Sequence, residues 1–212
     1  MNFHEIQFSF IDHIPKKFFD KNHNEKFCVQ VISNLFNIAP SDIYWGNPNK
    51  REPDVYIKNH PFEITLVSDK HKTKNLIQRL KKRMSDGFSS DDIQKELLDM
   101  IQERANDKSQ KRYCDTPTLC MMVPVPAIDW VAKAYESDII DKLFVSERQI
   151  VFGKLKKEYI DTKKFTNIFI LVPSLDTSWV LIDVSTDNML IYQGDVSDDN
   201  YPYYEVIDWK GI

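Results

Sequence analysis

Residues 53–67, Pro-Asp-Val-Tyr-Ile-Lys-Asn-His-Pro-Phe-Glu-Ile-Thr-Leu-Val, constrain the fold more than any other stretch of the chain. Val55, Ile57, Phe62, Ile64, Leu66 and Val67 supply apolar, β-prone positions, and Lys58-Asn59-His60-Pro61 supplies turn chemistry between them. The pattern predicts two short strands joined by a polar turn, with Asp54 at the start of the first and Glu63 near the start of the second. Side chains alternate along a strand, so Glu63, Thr65 and Val67 share one face, and Phe62, Ile64 and Leu66 pack on the other. Two carboxylates then meet at a hard, oxygen-lined corner suited to a divalent cation. The plainer alternative is an Asp54 that caps a turn after Pro53 and a Glu63 on the surface of an edge strand. Against it, Glu63 lies inside an otherwise apolar strand, where a charge calls for a partner or a function.

Around this hairpin the hydrophobic periodicity alternates between helix and strand. Asn24 is a plausible N-cap for a first helix carrying Phe27, Cys28, Val31, Ile32, Leu35 and Phe36, with Glu25 in its first turn and Pro40 beyond its end. A loop containing Trp45, Gly46 and Pro48 leads into the motif strands. A second helix is predicted over about 72–84, with Leu76, Leu80 and Met84 on one stripe. After Ser85-Asp86-Gly87, Ser90 or Asp91 can cap a third helix bearing Ile93, Leu97, Leu98 and Ile101. A buried strand over 118–125 and a helix over 127–144 follow, then strands over 165–172, 179–184 and 189–192 separated by turn signals. The expected fold class is α/β, and the expected organisation is one domain over 1–212, with a core at about 24–145 and a strand-rich C-terminal elaboration at about 146–212.

Composition removes several classes of function. The only five glycines, at 46, 87, 153, 194 and 211, draw no phosphate loop, dinucleotide fingerprint or nucleophile elbow. Cys28, Cys114 and Cys120 show no Cys-x-x-Cys spacing and are expected as reduced thiols, and His4, His13, His23, His60 and His71 show no zinc spacing. The longest apolar run, 119–128, is too short for a membrane span, and the N-terminus lacks a secretory apolar region, so a soluble cytoplasmic protein without a membrane partner is expected. Charge is unevenly distributed. Seven basic residues and no acidic one occur over 70–83, whereas 181–209 carries seven acidic residues and no lysine or arginine. The basic run is either a set of phosphate contacts or one solvated helix face.

Pro53-Asp54, an eight-residue spacer and Glu63-Ile64-Thr65 resemble the signature of the PD-(D/E)XK nuclease superfamily, over roughly residues 25–125. The resemblance implies a restriction-endonuclease-like core, a central mixed sheet flanked by helices. It also implies Mg²⁺ or Mn²⁺ held by Asp54, Glu63 and the Ile64 backbone carbonyl, with Glu25 as a further carboxylate. Thr65 departs from the pattern by standing where the family usually has lysine, and a hydroxyl cannot replace an ammonium. Some relatives take that lysine from a neighbouring element; Lys72 is the preferred source here, with Lys58 and Lys70 also near in sequence. Gln78 matches a position that often orients water or phosphate in the family. Lys70, Lys74, Arg79, Lys81 and Lys82 are the expected phosphate contacts.

The resemblance implies metal-dependent hydrolysis of phosphodiester bonds in DNA, or RNA, in a restriction, defence or mobile-element setting. The alternative is a catalytically silent relative that binds nucleic acid or protein. The other expected partners are a protein at the acidic C-terminal region and a second copy of the chain. Clustered like charges are further expected to destabilise the metal-free corner, so that removing Asp54 or Glu63 leaves the fold as stable as before or more so.

Overall fold

The computed structural model describes residues 6–10, 19–85, 91–123, 149–173, 179–186, 188–192 and 204–209. Within them, seven strands form one mixed sheet in the order β2 (Ile43–Trp45), β3 (Val55–Ile57), β4 (His60–Leu66), β5 (Thr118–Met122), β6 (Ile168–Pro173), β7 (Trp179–Asp183) and β8 (Asn188–Tyr192). The pairs β4–β5 and β5–β6 are parallel, and the other neighbours are antiparallel. A separate antiparallel pair joins β1 (Ile6–Phe10) to β9 (Tyr204–Trp209). The helices are α1 (Lys21–Leu35), α2 (Lys70–Ser85), α3 (Asp91–Ser109) and α4 (149–160), whose end, Lys156–Ile160, is wound as a π-helix. The chain is thus an α/β protein with a mixed sheet and flanking helices, and among the described residues no helix is long and apolar enough to cross a membrane.

The hairpin forms where the sequence predicts it, but its turn is tighter. Only Lys58 and Asn59 lie between the strands, at φ 48° and 63°, the left-handed pair that matches strand twist in a two-residue hairpin. His60, exposed, and Pro61, half-buried, are the first two residues of β4, and Ile57 pairs with His60. Trp45, expected in a loop, ends β2, because Ile43, Tyr44 and Trp45 pair with Ile57, Tyr56 and Val55.

β4 to β7 are buried on both faces, as a partly parallel sheet covered on both sides requires. α1 covers the Phe62 and Ile64 face. Phe27, Cys28, Val31 and Ile32 are buried there, and Phe27 meets Trp179 edge-on at 4.9 Å between ring centroids. Each such fully buried side chain contributes about 1.5–3 kcal/mol of transfer free energy. α3 reaches the opposite face, where Glu63 projects, through the stripe Leu97, Ile101, Ala105 and Lys108 at helical spacing.

Other boundaries shift. Asp20, not Asn24, caps α1, accepting the His23 N–H at 3.1 Å. Asn24 is buried inside the helix, and Glu25 lies beyond the first turn in which it was expected. α2 starts at Lys70, capped by Asp69, whose carboxylate accepts the Lys72 N–H at 2.8 Å. Cys28 and Cys120 are buried as expected, while Cys114 is exposed. The helix expected over 127–144 and most of the acidic stretch after residue 192 lie outside the described residues.

Candidate functional site

β3 and β4 bring Asp54 and Glu63 together at the open end of the hairpin. The Ile64 N–H donates to Asp54 Oδ2 at 2.8 Å, which fixes the carboxylate against the strand that carries Glu63. Ile64 thereby contributes its N–H to the site.

Each carboxylate is met by an ammonium. Lys21, in the first turn of α1, places Nζ 2.9 Å from Asp54 Oδ1 and 3.1 Å from Glu25 Oε1, one helical turn along. Glu63 Oε1 accepts from Lys108 at 2.5 Å and from Lys111 at 3.0 Å, and its side chain is only 3% exposed. Lys108 is nearly as buried, whereas Lys111, just past the end of α3, is 54% exposed. Three carboxylates thus face three lysines, which offset the repulsion expected at a bare acidic corner.

The titration shifts follow from this packing. Burial lowers the Lys108 pKa, and the attraction of Glu63 offsets only part of the effect. Burial also pulls Lys111 down, but its hydrogen bond to Glu63 and the Glu63 charge outweigh that, so its pKa is raised. For Lys21, desolvation is likewise outweighed by Asp54 and then Glu25, and the net shift is upward. Glu25 is raised, first by burial and then by the neighbouring Asp54 charge. Tyr113 is raised first by burial and then by the charge and hydrogen-bonding approach of the Glu63 carboxylate.

Lys72 does not join this cluster. Its Nζ lies 4.0 Å from Glu103 Oε2, and both side chains are more than half exposed. Lys108 and Lys111, not the expected Lys72, are the lysines that meet Glu63, returning to it from the far end of α3. A signal for Lys108 was present: it extends the buried stripe Leu97, Ile101, Ala105 by one further helical step. Thr65 is half-buried and lines a cavity of about 510 Å³ with Lys70, Lys108 and Lys111.

The remaining expected residues are dispersed. Gln78 and Lys74 are exposed on α2, and Arg79 is bound to Glu96 at 2.5 Å. The side chains of Lys81 and Lys82 lie outside the described residues. Among the described side chains of the basic run, Lys70 lines the cavity beside Thr65, whereas Lys72 and Arg79 turn to Glu103 and Glu96. At the acidic C-terminal end, Asp183 is used internally, accepting from Asn167 at 2.9 Å and from the Ser185 hydroxyl at 2.6 Å.

Among the described residues no group of three or more His, Cys, Asp or Glu side chains is placed to hold a metal ion. Asp54 and Glu63 nevertheless fit the mode in which Mg²⁺ takes one or two carboxylates and completes its shell with water and substrate phosphate. Comparison with protein-family models, curated proteins and solved structures finds no match for this chain.

Proposed function

We propose that this chain is a metal-dependent nuclease with a restriction-endonuclease-like core, acting in the cytoplasm on phosphodiester bonds of DNA in a restriction, defence or mobile-element setting. The observation that carries this reading is the convergence of Lys108 and Lys111 on Glu63, 2.5 Å and 3.0 Å from Oε1, beside an Asp54 oriented by the Ile64 N–H. The ammonium absent at residue 65 is supplied from α3.

Asp54 and Glu63 would hold Mg²⁺ or Mn²⁺, which supplies Lewis-acid polarisation of a phosphoryl oxygen and a lower pKa for water. Lys111, half exposed, can turn from Glu63 to a phosphate oxygen and stabilise charge developing there. Lys108 is buried and acts as a positioning residue that holds the Glu63 carboxylate. Lys21 offsets the joint charge of Asp54 and Glu25.

Plasmid cleavage in Mg²⁺ or Mn²⁺ tests the reading. Wild type should cut, Asp54→Ala should not, and Lys111→Ala should lose most activity; a wild type that cuts with no divalent ion overturns it. One observation favours a silent binding module instead: Glu63 is already compensated by two ammoniums. That reading predicts nucleic-acid or protein binding without cleavage in the same preparations.

A further inference from the structure

We propose that the two cavities meeting at Asp54 form one groove for a single nucleic-acid strand, with Trp45 stacking a base and Arg51 and Arg112 holding adjacent phosphates. The inference rests on the nuclease reading only for the chemistry at Asp54; the binding stands on its own observations.

Trp45 is 49% exposed on β2, an edge strand of the sheet among the described residues, and lines a cavity of about 570 Å³ with Lys21, Lys26, Glu25 and Asp54. Its position relative to Asp54 is set by the backbone. Trp45 pairs with Val55, and the Gly46 N–H donates to the Asp54 carbonyl at 3.1 Å. A Cβ on Gly46 would lie 1.8 Å from the Pro53 carbonyl oxygen, so this close approach requires glycine. The indole is therefore held beside the candidate carboxylates with much of its surface open.

On the other side of Asp54 a cavity of about 490 Å³ is lined by Arg51, Lys111, Arg112 and Tyr113, and it shares Lys21, Glu52 and Asp54 with the first. The shared lining makes one continuous path past Asp54. Lys26, Arg51 and Arg112 have no acidic partner among the described residues, unlike the three lysines that compensate Asp54, Glu25 and Glu63. Free cations at both cavities and an open indole at one match a polyanion with π-faces. The occupant is a single strand because a base within a duplex has both faces covered by its neighbours.

The test uses the full chain in EDTA, so that no cleavage intervenes, with a fluorescein-labelled oligo-dT and a hairpin duplex of equal length. The single strand should bind more tightly than the duplex, and Trp45→Ala should weaken it about 5- to 100-fold. Trp45→Leu, which keeps apolar bulk without a π-system, should weaken it similarly and guards against misfolding, checked by circular dichroism. Arg51→Ala and Arg112→Ala should each shallow the log–log salt dependence by about 0.7. Equal or tighter duplex binding, unchanged affinity in folded Trp45→Leu, or no binding of either probe overturns the groove. A chain that binds the single strand in EDTA but cuts nothing with any divalent ion sinks only the nuclease reading. Duplex cleavage unaffected by either tryptophan substitution sinks only the groove.

Discussion

Lys108 Nζ and Glu63 Oε1 stand 2.5 Å apart with both side chains less than a tenth exposed, a buried ion pair linking the end of α3 to the interior strand β4. Removing one member of such a pair strands the other in a poorly solvated place, typically at about 3–5 kcal/mol. Glu63→Ala should therefore lower stability by about that amount in EDTA, since it leaves the buried Lys108 uncompensated and deprives Lys111 of its acceptor. Lys108→Met should cost less, because Lys111 still meets Glu63. Urea unfolding decides the matter: a Glu63→Ala midpoint equal to or above wild type would restore the picture of simple like-charge repulsion.

The exposed pair of Lys72 and Glu103, at the 4.0 Å limit, belongs to a class of surface contacts contributing about 0–1 kcal/mol. Lys72→Ala should leave both stability and cleavage close to wild type, while Lys111→Ala lowers cleavage by about 10²-fold or more. Parallel cleavage assays on the two variants compare them directly. A reversed order would return the catalytic lysine to α2.

Gly46→Ala should disturb the site from outside it. The added methyl meets backbone, not a flexible side-chain end, so the turn must move away from Pro53. Overpacking of this kind costs about 1–3 kcal/mol. Both the unfolding free energy and Mn²⁺ affinity, followed by calorimetry, should fall, because Asp54 is carried on the same segment. Retention of both would show that the turn relaxes freely.

Asp183 governs an acid limb of stability. Burial alone would raise its pKa, but the hydrogen bonds from Ser185 and Asn167 outweigh burial and hold it below its ordinary value of 3.8. The folded chain thus releases this proton more readily than the unfolded chain. The associated stability is complete above about pH 4 and is lost as pH falls through the folded pKa. Asp183→Asn should lower the thermal midpoint at pH 7 and reduce its fall between pH 4 and pH 2. Parallel midpoint curves for the two proteins over that range would remove Asp183 from the acid response.

Local pattern was enough for much of this protein. Alternating apolar residues around a polar turn determined the β3–β4 hairpin, and with it the nearness of Asp54 to Glu63, because strand periodicity and a two-residue turn leave little freedom. Helical spacing likewise located α1, α2 and α3 to within a few residues. Tertiary structure alone decided which ammonium meets which carboxylate. Lys108 and Lys111 lie 45 and 48 residues from Glu63, and Lys21 lies 33 from Asp54. Periodicity says which side of its own helix a lysine occupies, as Lys108 does on the buried stripe of α3. It carries no record of the facing element, which is set only when helices and sheet pack together and every buried charge must find its partner.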